Sequence, residues 1–297
     1  MGERAAMNAR TGGRLMAPRW RRLRARLRRQ PTIAAGTAIL GLLVLLAVAA
    51  PYLLPDPRAL GHLRRLRPPG GEFWFGTDNL GRSVFSRTLY GARISLTVGF
   101  AVMLVTTGFG LSIGLLAGFE RRLDNVLMRL LDGVMAIPAV LLAVAFMSLF
   151  GSNVQNVVIA ISLPEVPRMA RLVRGTVLSL REQPYVEAAI TNGAGVPRIL
   201  LVHILPNTMA PVLVQATYVL AAAMILESIL SFLGAGTPPD IPSWGNMLAE
   251  GRQYLQRAPW TMAFPGAFLA GLVLTVNVMG DALRDRLDPR LSRQLRG

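Results

Sequence analysis

The chain contains no cysteine and no lysine, and only two histidines, His62 and His203. Without cysteine there is no disulfide framework and no thiolate metal site. Two histidines far apart in sequence argue against an imidazole-built metal centre. Without lysine no G-x-x-x-x-G-K-[ST] loop can be written, so a phosphate cradle of that kind is excluded and no ATP hydrolysis is expected from this chain. No nucleophile–histidine–acid set can be assembled either, which leaves a membrane-embedded enzyme without its convergent groups. Ser152 and Ser231, each close to a glycine, read as turn and helix-packing residues. Charge is also scarce, at 16% of 297 residues.

What is abundant is apolar surface, at 52% of the residues, gathered into runs long enough to span a bilayer. The formal net charge is +16, and all 32 basic residues are arginine. Ten arginines fall within residues 4–29, before the first apolar run, and five within 284–296, after the last. The positive-inside rule places arginine at such flanks, so the basic excess does not call for a nucleic-acid partner.

Six spans are predicted, giving an all-α integral membrane protein with both termini cytoplasmic. Residues 1–31 form an Arg-rich cytoplasmic tail, and residues 32–54 the first anchor, about 34 Å of helix. Ala47-Val48-Ala49 resembles a signal-cleavage site, but the apolar core exceeds a signal h-region, so the segment is read as an uncleaved anchor. Residues 55–91 are external and polar, with a short surface helix expected from Asp78 to Tyr90. Residues 92–283 carry the remaining spans. Ile94–Phe119 holds Gly110, Gly114 and Gly118, a small-residue stripe suited to close helix packing. Val126–Phe150 is expected to kink at Pro138, with Arg129 and Asp132 pairing on one face. A fourth span begins near Val154 and leaves the membrane through an arginine-rich half. Met209–Leu233 and Met262–Leu283 complete the set, joined outside by Gly234 to Thr261, whose Trp244, Tyr254 and Trp260 suit the interface. Residues 284–297 are a cytoplasmic tail.

Within 182–207 lies EAAITNGAGVPRILLVHILPN, a polar insertion between apolar runs. Pro184 suits the first turn of a helix, Glu187 complements its dipole, and Gly193 can end it in the left-handed conformation. A second short helix is expected from Val196 to Leu205, stopped by Pro206. The product is a stiff, small-faced protrusion.

Glu187-Ala188-Ala189, three residues, Gly193, then Leu205-Pro206 resembles the EAA loop of binding-protein-dependent ABC importers, with His203 at a position where that pattern has Ile. Further stretches resemble the dipeptide/oligopeptide/nickel branch and its C-type permease. They include Phe75-Gly76-Thr77-Asp78, Tyr90-Gly91-Ala92-Arg93, Ala170-Arg171-Leu172-Val173-Arg174-Gly175, Ser231-Phe232-Leu233-Gly234, Ser243-Trp244-Gly245-Asn246 and Asp288-Pro289-Arg290. The resemblance covers about residues 72–292. Val166 and Met169 depart from it, standing where the branch has aromatics.

The resemblance implies a type I importer permease fold and a non-catalytic subunit. The implied partners are a second homologous permease, two ATPase subunits and an external substrate-binding protein, with the lipid bilayer as solvent. ATP and Mg would be bound by the ATPases, and no cofactor by this chain. Glu187, Ala188, Ala189, Gly193, Leu205 and Pro206 would form the ATPase-coupling site. Glu227 is the conspicuous intramembrane charge, read as a structural partner in preference to a transport group. Gln215 and Asn277 could line a polar path or bond between helices. Half of a dimeric secondary transporter is the alternative, needing ion-coupling carboxylates deep in the bundle.

Overall fold

The structure is a computed structural model that describes residues 31–287, the side chain of His62 excepted. The two Arg-rich flanks lie largely outside this range, as does Asp288-Pro289-Arg290. Nine helices carry the described chain: α1 (Pro31–Leu53), α2 (Val84–Phe119), α3 (Arg121–Met135), α4 (Ala139–Phe150), α5 (Val154–Arg181), α6 (Pro184–Thr191), α7 (Val196–Phe232), α8 (Trp244–Gly251) and α9 (Trp260–Leu287). Single 3-10 turns occur at His62–Arg64 and Arg252–Tyr254. Among the described residues the only extended pairing is the isolated bridge between Thr77 and Ser83.

Four helices are long and apolar enough to cross a membrane, α1, α2, α7 and α9, and α3 with α4 would make a fifth if the bent pair is one span. Their outward faces carry large apolar side chains, such as Leu45 on α1, Leu104 and Phe109 on α2, Leu149 on α4 and Leu274 on α9. Such surfaces are tolerable where the solvent is lipid and hazardous in water. α5 is 28 residues long but carries Glu165, Arg168, Arg171, Arg174 and Arg181, so it falls outside that set.

α2 and α5 pack along their length. The glycine stripe of α2 makes this possible: a Cβ at Gly110 would lie 2.5 Å from Met169 Cβ, at Gly114 2.5 Å from Val173 Cβ, and at Gly118 2.6 Å from Val177 Cβ. α7 then packs between α2 and α9, and α1 covers α9 and the flank of α2. One apolar core joins α2, α4, α5, α6 and α7 through Val98, Val102, Met147, Ile161, Val173, Val186, Ile204 and Leu230. A second joins α1, α2, α7, α8 and α9 through Ala47, Leu96, Leu220, Met224, Trp244, Leu272 and Val276.

Several local expectations need correction. No separate surface helix runs from Asp78 to Tyr90. Asp78 holds a turn by accepting the backbone N–H groups of Leu80 and Arg82, both at 2.9 Å. Helix begins at Val84, after Ser83 caps it, and runs unbroken to Phe119. Pro138 does more than kink: α3 and α4 meet at 86°. Asp132 accepts from Arg171 of α5 instead of Arg129, because the acidic face of α3 is turned onto the basic half of α5. Trp244 is fully buried and donates from Nε1 to the carbonyl of Thr88, 2.9 Å away, so it is not an interfacial anchor.

Candidate functional site

α6 starts where Gln183 is extended and Pro184 takes the first turn, a place where the missing N–H leaves no helical bond unmade. One side chain, Val186, roots this helix in the first core. Pro184, Tyr185, Glu187, Ala188, Ile190 and Thr191 are exposed, and Ala189 is half-buried. The helix closes with two bonds that define a left-handed cap: Gly193 N–H to Ile190 O at 2.9 Å and Ala194 N–H to Ala189 O at 3.0 Å. Gly193 has φ +78°, and a Cβ there would meet nothing within 4 Å. Glycine is therefore favoured by backbone conformation, with no crowding involved.

After Gly195 the chain re-enters helix at Val196 and does not stop at Pro206. Residues Ile199–Ile204 widen into a π turn, in which Leu205 N–H bonds Leu200 O five residues back. A π turn frees carbonyls of their usual donors, so the absent N–H of Pro206 costs little, and the helix continues to Phe232. The expected second short helix is thus the root of α7. Leu205 is half-buried and Pro206 exposed in that root.

The protrusion has a stiff base. Asn207 Nδ2 donates to Tyr185 Oη at 3.3 Å and to His203 O at 2.8 Å, tying α6 to α7. Arg181 donates to Phe119 O at 2.9 Å and lies over the Phe119 ring, tying the end of α5 to the end of α2. Arg174 grips both carboxylate oxygens of Asp124 on α3. Beside this base a polar depression is lined by Arg121, Asp124, Arg174, Arg181, Glu182 and Glu187. The protrusion itself carries exposed apolar groups, Ile190 at 52%, Val196 at 49%, Leu201 at 60% and Val202 at 57%. An anchored element offering both an acidic first turn and apolar side chains is suited to enter a groove on another protein.

The suggested path residues do not converge on one site. Glu227 is fully buried and receives the hydroxyls of Ser231 at 3.0 Å and Ser95 at 3.3 Å. Gln215, also on α7, is twelve residues away, about 18 Å along a helix axis. Gln215 and Asn277 are half-buried.

Two polar groupings were missed by the sequence reading, the first of them without any local signal. Near the start of α2, Arg87 donates from Nη1 to Asp78 Oδ2 at 2.7 Å and to Glu250 Oε2 at 2.6 Å, and from Nη2 to Glu250 Oε1 at 3.0 Å. Arg82 reaches the same two acids, each at 2.6 Å. Arg87 and Glu250 are 163 residues apart, so spacing carries no hint of their meeting. On α5, Glu165 is buried and accepts from Arg168 at 2.7 Å. That i, i+3 spacing is a signal available in the sequence.

Residues 110–293 match the model of the family described as binding-protein-dependent transport system inner membrane component, and residues 18–69 that of the N-terminal TM domain of oligopeptide transport permease C. The chain belongs to this family of transport-system membrane components. It is 51% identical over 267 residues to a probable peptide ABC transporter permease of Sinorhizobium fredii, covering 90% of this chain and 92% of that one. It is 42% identical to a dipeptide transport system permease of Alkalihalophilus pseudofirmus, covering 92% and 90%, and 41% identical to a glutathione transport system permease of Pectobacterium atrosepticum, with the same two coverages. Among solved structures, an inward-facing methionine ABC transporter matches with a TM-score of 0.56 at 20% identity, over 68% of this chain and 96% of that one. The all-helical fold is therefore that of ABC importer permeases.

Proposed function

We propose that this chain is one permease subunit of an ATP-driven importer, forming with a second, homologous permease the membrane path for peptides or similar small solutes. Six spans cross the membrane: α1, α2, the α3–α4 pair, α5, α7 and α9. Both termini and α6 are cytoplasmic, and the segments between α1 and α2 and between α7 and α9 are external. Two ATPase subunits bind ATP and Mg, and an external binding protein delivers the solute. The relatives named for peptides, dipeptides and glutathione support this solute class.

The observation that carries the coupling role is α6 itself. It is rooted by Val186 alone among its own side chains, and Glu187, Ala188 and Ile190 face outward. Such a helix docks in an ATPase groove and passes a rigid-body displacement to α5 and α7, reversing which side of the path is open.

The test is purification of the chain in mild detergent with mass spectrometry of what accompanies it. The expected result is a second permease and two ATPases, lost when residues 187–193 are replaced. Glu187→Arg and Gly193→Trp should leave insertion intact while ATP hydrolysis no longer drives uptake. A chain that purifies alone and transports in liposomes without ATP refutes the proposal.

A further inference from the structure

Glu227 sits on α7 with no solvent exposure, and two serine hydroxyls reach it, Ser95 from α2 and Ser231 from α7. No ion pair engages it among the described residues. Its two oxygens are divided between elements, Oε2 accepting from Ser95 and Oε1 from Ser231. From Ser231 a chain of polar groups runs into the connection. Thr237 N–H donates to Ser231 Oγ at 3.3 Å, Thr237 Oγ1 donates to Ser243 Oγ at 3.2 Å, and Asn246 Nδ2 donates to Thr237 Oγ1 at 3.0 Å.

The backbones around this chain are in close contact. A Cβ at Gly245 would lie 2.7 Å from Ser228 Cα and from Ser231 Cβ, and one at Gly91 would lie 3.2 Å from Trp244 Cδ1. Trp244 closes the gap to α2 with its bond to Thr88 O. The Arg87–Glu250 pair fastens the far end of α8 to the first turn of α2. Two buried polar nodes and an indole thus bind the connection to α2.

We propose that Glu227 is a positioning residue for transport, holding the α7–α9 connection against α2 so that the outer ends of α2 and α7 and helix α8 move as one body. This rests on the importer reading above. An ionised carboxylate suits the place because it has only acceptor sites, so Ser95 and Ser231 can both donate to it. Alanine would leave the Ser95 and Ser231 hydroxyls without their common acceptor. Glutamine keeps one carbonyl acceptor, and a serine can turn to accept from its amide. Negative charge is then dispensable, whereas a residue that carried a proton or cation through the cycle would require it.

The experiment uses the full complex in proteoliposomes with its binding protein, and reads ATP-dependent uptake beside ATP hydrolysis. Glu227→Gln should keep uptake within about twofold, and Glu227→Ala should lose at least about tenfold while hydrolysis continues. If Glu227→Ala fails to assemble, a second measurement decides. This chain has no cysteine, so once any cysteines of the partner subunits are replaced, spin labels at Arg93→Cys on α2 and Gln253→Cys beyond α8 are the sole labels. Their separation should be the same in the nucleotide-free complex and in the complex trapped with ATP and vanadate. Loss of uptake in Glu227→Gln, full uptake in Glu227→Ala, or a label separation that changes with nucleotide each overturns the proposal. Absence of ATP-dependent uptake in the unmutated complex refutes the importer reading instead.

Discussion

Gly114 illustrates how much a single hydrogen in place of a side chain can decide. A Cβ there would press on Val173 Cβ at 2.5 Å and on the carbonyl oxygen of Ala170 at 2.6 Å, and that oxygen belongs to a helical backbone that cannot step aside. Gly114→Val should therefore cost about 1–3 kcal/mol through overpacking, read as a lower unfolding temperature in detergent. Gly108, on the same helix, has nothing within 4 Å of an added Cβ. Gly108→Ala should leave the unfolding temperature unchanged or slightly raised, since alanine loses less backbone freedom in a helix. Equal effects from the two substitutions would contradict the packing account. The stripe itself was visible as small residues four apart. Its partner was not, because nothing in the spacing of Gly110, Gly114 and Gly118 names Met169, Val173 and Val177.

At the scale of elements, α3 shows an inversion that amphipathic spacing alone could not orient. Its apolar residues Leu123, Val126 and Leu130 are exposed, while Asp124 and Asp132 reach across to Arg174 and Arg171 of α5. Asp124 and Arg174 are 14% and 35% exposed at their side chains, whereas Asp132 and Arg171 are 58% and 46% exposed. Water screens the second pair far more, so Arg174→Ala should destabilise by about 1 kcal/mol and Arg171→Ala by clearly less. The exchange Asp124→Arg with Arg174→Asp should restore part of the loss in a thermal-unfolding cycle. No recovery would assign the Arg174 effect to packing of its stem. The break at Pro138 and the π turn before Pro206 belong to the same scale. Proline marked both places in the sequence, but whether the helix bends by 86° or absorbs the missing donor depends on how neighbouring turns re-pair their carbonyls.

At the scale of the whole molecule, the proposed topology places α6 and the α7–α9 connection on opposite sides of the membrane. A cysteine at Asn192, an exposed position in the α6 cap, should react with an impermeant thiol reagent only after the cells are opened. A cysteine at Gln253, exposed beyond α8, should react in intact cells. Labelling of Asn192→Cys from outside would reverse the orientation.

The amino-acid sequence alone sufficed for the class of solvent, the long apolar runs, and the proline start and glycine cap of α6. Those are local properties: a run of apolar residues, a proline at a helix start and a glycine at a cap act within a few turns of their own position. Tertiary structure alone decided that Trp244 is a buried lock, that Arg87 meets Glu250 across 163 residues, and that Glu227 accepts from Ser95 of a different helix. Such pairings depend on which helix faces bury together, and burial is a property of the folded molecule that no short stretch of chain contains.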